Sequence, residues 1–236
     1  MSRDFKILST KTLSAKNSER LIDSSFELQE HSFICTNSIV QDTTAGLLNA
    51  LAQQSLTVIF TSANAVNAVA EKLLFQPKWK VFCINGKTQR TIEKLFLKSE
   101  VLGSSPTGEL LAEQILQHAN TRHVVFFSGS KRLHTIPDAL LNAGCHLQEI
   151  VVYETLYNPV VFDENFDGIV FFSPSGVESF FSVNKISKET VLFSIGPTTT
   201  RAIQKYSENI IECAFPSEEE MVSVVKLYYK SEADAE

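Results

Sequence analysis

The chain has 236 residues, 44% of them apolar and 20% charged, with a formal net charge of −6 at pH 7. That length holds one large domain or two modest ones, and the composition excludes disorder for the bulk of it. The acidic balance weighs against a general nucleic-acid binder, and no stretch approaches the ~18 apolar residues of a membrane span. Short runs rich in Val, Ile and Phe predict strands at Phe5–Ser9, Ser32–Cys35, Thr57–Thr61, Val81–Ile84, Val124–Ser128, Glu149–Tyr153, Gly168–Ser173 and Val191–Ile195. Their near-continuous hydrophobicity suits strands buried on both faces. Helical patterns lie between them: Ala65, Val66, Val69 and Leu73 share one face, as do Leu110, Leu111 and Ile115, and Ala139, Leu140 and Ala143. Strand–helix alternation of this kind predicts α/β architecture, with parallel sheets covered by helices.

The opening Met1–Phe5 leads into no apolar segment, so no signal peptide is expected. The tail Ser231–Glu236 is polar and acidic and is expected to fray. Cys35, Cys83, Cys145 and Cys213 form no C-x-x-C pair, and each sits in or beside an apolar run. Free buried thiols in a reducing compartment are the expectation, and with it a soluble, cytoplasmic protein. His31, His118, His123, His134 and His146 make no metal-ligand pair on one helical face, so no metal site is expected.

An internal repeat organises the chain. The stretch from Val58 to Val66 resembles that from Ile169 to Val177, 111 residues on. Gly86-Lys87-Thr88 matches Gly196-Pro197-Thr198, and Pro106-Thr107-Gly108-Glu109 matches Pro216-Ser217-Glu218-Glu219, each 110 residues on. A second series, 119 residues apart, relates Leu28–Thr36 to Leu147–Thr155 and Phe5–Ser9 to Val124–Ser128. The order is therefore A-B-A′-B′, roughly 1–36, 40–118, 120–155 and 160–230. The repeat alone leaves two foldings open. Either A joins B and A′ joins B′ in tandem, or B joins A′ while B′ joins A, bringing both termini into one domain.

Four predicted strands run through small hydroxyl or glycine residues into a helix. The junctions are Thr61-Ser62-Ala63-Asn64, Ser128-Gly129-Ser130, Ser173-Pro174-Ser175-Gly176 and Gly196-Pro197-Thr198-Thr199. Ser, Thr and Asn there serve as N-caps. Open parallel sheets also bind ligands at the carboxyl ends of their strands, where helix N-termini offer N–H groups to anions. Four such junctions at repeat-related positions favour a shared ligand cleft. Sharper motifs fail on spacing. Gly86-Lys87-Thr88 looks like the end of a P-loop, but Val81 stands where that motif needs glycine. There is no G-x-G-x-x-G, and Ser175 lacks the flanking glycines of a nucleophile elbow. Tyr153, closing the apolar run Ile150-Val151-Val152, reads either as a half-buried aromatic or as a proton donor at a domain crossing. Lys131 and Arg132 follow the Ser-Gly-Ser junction, where they would be solvated or would touch an anion.

Taken together, Thr61-Ser62-Ala63-Asn64-Ala65-Val66, Gly86-Lys87-Thr88, Val152-Tyr153-Glu154-Thr155, Phe172-Ser173-Pro174-Ser175-Gly176-Val177, Ile195-Gly196-Pro197-Thr198-Thr199 and Pro216-Ser217 resemble uroporphyrinogen-III synthases, over about Phe5 to Tyr229. The resemblance implies two similar α/β domains joined by a two-stranded connection. One would take residues 1–35 with 158–236 and the other 39–152, with crossings near 36–38 and 153–157. The implied reaction closes the linear tetrapyrrole hydroxymethylbilane to uroporphyrinogen III, with loss of water and inversion of ring D. It needs no cofactor or metal, and it would work by orienting the two chain ends. The expected protein is a monomeric lyase with a small-molecule substrate and no nucleic-acid or membrane partner.

On this reading Tyr153 is the candidate proton donor. The candidate substrate contacts are Thr61, Ser62, Gly86, Lys87, Thr88, Thr107, Ser128, Gly129, Ser173, Ser175, Gly176, Gly196, Thr198 and Thr199. The front of the chain departs from the family, with Thr10-Lys11-Thr12 where Thr-Arg-Pro is usual and no glycine before the second strand. Lys11 is the residue left to replace that basic contact. The alternative is a non-catalytic two-domain binding protein or sensor for an anionic small molecule, which would need an output region this sequence has no segment to supply.

Overall fold

The computed structural model describes residues 5–22, 25–118 and 123–233. Met1–Asp4 and the end of the tail, Asp234–Glu236, lie outside the described residues. The chain divides into two compact units: a central one, Thr36–Thr155, and a terminal one, Met1–Cys35 with Leu156–Glu236.

In the central unit the elements are β3 (Ile34–Ser38), α2 (Asp42–Ala52), β4 (Thr57–Phe60), α3 (Ala63–Ala70), β5 (Lys80–Ile84), α4 (Lys87–Leu95), β6 (Glu100–Ser105), α5 (Gly108–Gln117), β7 (His123–Gly129), α6 (Thr135–Asn142) and β8 (His146–Tyr157). The strand order is β3-β8-β7-β4-β5-β6. Pairing is parallel from β8 through β6. Alternate residues feed opposite faces. Val58 and Phe60 join Val125 and Phe127 under α2, α3 and α4, while Ile59, Val124 and Phe126 pack under α5 and α6. Trp79 is fully buried among Phe60, Phe96 and Phe127, and its indole N–H donates to the Leu51 carbonyl at 3.0 Å.

The terminal unit holds β1 (Phe5–Ser9), α1 (Ala15–Leu21), β2 (Phe26–Glu30), β9 (Gly168–Phe171), α7 (Pro174–Phe181), β10 (Val191–Ser194), α8 (Pro197–Ile203), β11 (Ile210–Glu212) and α9 (Glu218–Ala233). Its order is β11-β10-β9-β1-β2, all parallel. Ile7, Val170 and Phe193 pack against α1 and α9, and Leu8, Ile169, Phe171 and Leu192 against α7 and α8. Burial of both faces is why these strands read as unbroken apolar runs.

The two orders are the same once the repeat is applied. β6-β5-β4-β7-β8 becomes β11-β10-β9-β1-β2, with B beside A′ in one sheet and B′ beside A in the other. β8 runs unbroken for 12 residues, whereas its repeat partner is interrupted after β2 and resumes as β3.

Four expectations need correction. Ser32–Cys35 is shifted, the strand being Ile34–Ser38. It is an edge strand, so Cys35 is exposed, and Cys145 is only partly covered; Cys83 and Cys213 are buried, which pushes their thiols up to about 12 and about 11. Leu110 and Ala143 face water, and the buried pairs are Leu111 with Ile115 and Ile136 with Leu140. The tail is helical through Ala233 rather than frayed from Ser231.

Candidate active site

Parallel pairing brings the carboxyl ends of the strands to one edge of each sheet, and the expected site residues gather there. In the central unit Ser62 follows β4 and caps α3, its Oγ accepting from the Asn64 N–H at 3.1 Å. Thr107 follows β6 and caps α5, accepting from the Leu110 N–H at 3.4 Å. In the terminal unit Ser173 follows β9 and caps α7, accepting from the Gly176 N–H at 3.1 Å. A hydroxyl that accepts a capping bond keeps its own proton to donate, so capping and anion binding are compatible roles for one serine. Thr61 and Ser175 are partly exposed beside these caps.

β5 and β10 enter their helices through glycine. Gly86 takes φ +75°, the left-handed region where a side chain is strained, and it starts α4 with the Lys87 ammonium exposed next to it. Lys87 forms no ion pair among the described residues. Gly196 is buried at the start of α8, where the Ser194 hydroxyl donates to its carbonyl at 3.0 Å, and Thr198 is exposed.

Three of the expected hydroxyls are turned into the fold. Thr88 and Thr199 are buried. Ser128 is buried too, and its hydroxyl donates to Glu149 Oε1 at 2.7 Å. Glu149 is held below the ordinary carboxylate range by a two-pronged bond from Arg132, Nε to Oε1 at 2.5 Å and Nη2 to Oε2 at 2.6 Å, against the opposing pull of burial. Arg132 is therefore committed to Glu149. The sequence offered no sign of this pair, whose members lie 17 residues apart on a loop and a strand.

Lys11 is likewise committed. Its ammonium pairs with Glu218 and lies 4.4 Å from the centre of the Phe172 ring. Glu218 also accepts from the Ser14 N–H and from Asn17 Nδ2, each at 3.1 Å. Burial raises this carboxyl, but the bonds from Lys11, Asn17 and Ser14 outweigh it and hold Glu218 at about 2.

Tyr153 lies on β8 beside the end of β7, half-buried against the core face that holds Val152 and Phe127. Its hydroxyl makes no hydrogen bond among the described residues. With Thr36, Ser38, Asn64 and Asn67 it lines an open pocket of about 170 Å³. Further along β8, beyond the end of the central unit, Tyr157 donates to Glu178, both residues lying in the terminal unit; burial and that bond push the Tyr157 phenol up to about 12.

A family model described as uroporphyrinogen-III synthase HemD matches residues 21–223. The chain belongs to the uroporphyrinogen-III synthase family. Two solved structures share its fold. The uroporphyrinogen-III synthetase of Helicobacter pylori is 16% identical over 95% of this chain and 99% of that one, with a TM-score of 0.65. A mutant uroporphyrinogen III synthase of the extremely thermophilic bacterium Thermus thermophilus is 15% identical over 96% of this chain and 99% of that one, with a TM-score of 0.70. Uroporphyrinogen-III synthases are lyases of tetrapyrrole biosynthesis that cyclise hydroxymethylbilane, and this assigns the chain to an enzyme family rather than to the sensor class. Among the described residues no three His, Cys, Asp or Glu side chains gather to hold a metal ion, and no helix is long and apolar enough to cross a membrane.

Proposed function

We propose that in this uroporphyrinogen-III synthase Tyr153 protonates the departing hydroxyl of hydroxymethylbilane, and that the strand ends hold the acid arms. The phenol proton leaves with the hydroxyl as water, and a cation remains on the terminal methylene of ring A. The substituted end of ring D attacks it, giving a spiro intermediate; the bond from that carbon to the ring C methylene then breaks, and the released methylene cation is taken up by the free α-carbon of ring D, which inverts the ring. The proton lost as the pyrrole regains its aromaticity returns to the phenolate through solvent, so the net change is the loss of one water. The observation that carries this reading is Tyr153, whose hydroxyl makes no hydrogen bond among the described residues, in the lining of an open pocket with Thr36, Asn37, Ser38, Asn64, Asn67 and Glu71. The substrate's eight carboxylates require donors more than a basic surface. Capped helix starts at Ser62, Thr107 and Ser173, with Lys87 beside Gly86, supply them in a chain of net charge −6.

Feeding hydroxymethylbilane to the purified protein and separating the products tests this. Type III product is expected, and type I product alone would overturn it. Because the load is shared, Thr61→Ala, Ser62→Ala and Thr198→Ala should each cost about tenfold in efficiency, the worth of one hydrogen bond to a charged group. One of them abolishing activity would show that a single hydroxyl dominates. The reaction should proceed unchanged in a chelator; loss of activity that an added metal restores would refute the cofactor-free reading. We also propose that the enzyme acts as a monomer in the cytoplasm, a reading that four unpaired cysteines support. Sedimentation and cell fractionation test the two parts.

A further inference from the structure

We propose that Gly129 is a positioning residue for Tyr153, its bare α-carbon being the seat on which the tyrosine ring lies. This rests on the reading of Tyr153 as proton donor and adds what sets that donor's place. A Cβ built on Gly129 would stand 2.3 Å from Cζ, 2.6 Å from the hydroxyl oxygen and 2.7 Å from Cε1 of Tyr153. These separations are far inside van der Waals contact, so no side chain coexists with the ring in its present position. Gly129 is buried, with the Tyr153 ring against the place a Cβ would take, and it is a poor candidate for direct contact with substrate.

The backbone on both strands is fixed independently of the ring. The register slips between Ser128 and Gly129, so that Ser128 faces Val151 while Gly129 faces Tyr153. That irregularity sets the tyrosine opposite the glycine, as bulges at strand ends re-aim side chains. Ser130 then ties the far strand from both sides of Glu154: its N–H donates to the Tyr153 carbonyl at 2.9 Å, and its Oγ accepts from the Thr155 N–H at 3.1 Å. The phenol has no hydrogen-bond partner among the described residues to orient it. Packing aims the hydroxyl, and Gly129 is a surface that lies against the end of the ring.

A methyl group at residue 129 is relieved by rotation of the tyrosine side chain into the open pocket beside it, not by movement of the pinned strands. The penalty therefore falls on the position of the hydroxyl more than on stability. Gly129→Ala should lower kcat for type III product about tenfold, leave KM within about twofold, and melt near the wild-type temperature. In a Tyr153→Phe background the same substitution should add no further loss. Where Tyr153→Phe is impaired, a wild-type kcat for Gly129→Ala, a loss expressed in KM, or a loss that multiplies fully with that of Tyr153→Phe would each overturn the proposal.

A crystal structure of Gly129→Ala separates this idea from the reading beneath it. A ring swung away, with Tyr153→Phe as active as wild type, keeps the seat and sinks the proton donor. A ring still over residue 129, with the backbone displaced instead, sinks the seat whatever the kinetics. Should Gly129→Ala fail to fold, Tyr153→Ala in the same chain should restore folding, and failure of that rescue refutes the steric argument.

Discussion

Tyr153→Phe should slow formation of type III product by about 100-fold or more, with substrate affinity changed only a few-fold. General acid assistance typically contributes ~100- to 10,000-fold, and it is lost whole when the phenolic proton is removed. Phenylalanine keeps the ring that packs against the core face of the central unit, and the hydroxyl it lacks has no partner there to leave unsatisfied. The melting temperature should therefore stay within a degree or two, so that the kinetic loss reports on chemistry. Single-turnover measurement of type III product, corrected for spontaneous closure to type I, is the assay. A variant that turns over at the wild-type rate would remove Tyr153 from the reaction and move the search to Thr61 and Thr198.

Glu218→Gln should destabilise the terminal unit by about 2 kcal/mol at neutral pH. A carboxyl held at about 2 against an ordinary 4.5 corresponds to roughly 3 kcal/mol if shielded from water. The side chain is 24% exposed, so solvent screening reduces the figure. The sign follows from the depressed value. The stabilisation is fully present above about 4.5 and is lost as the pH falls through that value toward about 2. The gap between wild type and variant should thus be open at pH 7 and closing by pH 3. Urea unfolding followed by circular dichroism measures it. The one tryptophan, Trp79, sits in the central unit, so its fluorescence transition should not move between the two proteins. A gap that stays constant from pH 7 to pH 3, or an equal shift in the tryptophan signal, would show that the ion pair is not its source.

The strands that the sequence revealed and those it hid differ in one physical respect. β4, β7, β9 and β10 are buried on both faces and spell Thr-Val-Ile-Phe, Val-Val-Phe-Phe, Ile-Val-Phe and Val-Leu-Phe. β2, β6 and β11, which the pattern of apolar runs passes over, are all edge strands. With one side open to water, Phe26-Glu27-Leu28-Gln29-Glu30 carries alternating polarity, too short to separate from a loop by pattern alone. The displaced β3 is the remaining edge, for the same reason. At the site, the hydroxyls and glycines after the strands were legible because parallel topology and capping chemistry act locally. Which of them turn inward was not legible. Ser128 is claimed by Glu149, and Lys11 by Glu218, 207 residues away in sequence. Such partnerships depend on which strands become neighbours.

The shared strand order also bears on how the polypeptide is made. Every strand of the central sheet lies between Ile34 and Tyr157, so that sheet can close while the rest of the protein is still being synthesised. The other sheet cannot. β1 is synthesised before the central sheet, but its neighbour β9 begins only at Gly168 and the covering helix α9 only at Glu218. An apolar strand is thus held open while the whole central sheet is made, with β2 the one neighbour in its sheet already present. Non-local parallel pairing of this kind is slow to form and prone to wrong associations. The nascent amino-terminal segment, rather than either finished sheet, is where chaperones have the most to do.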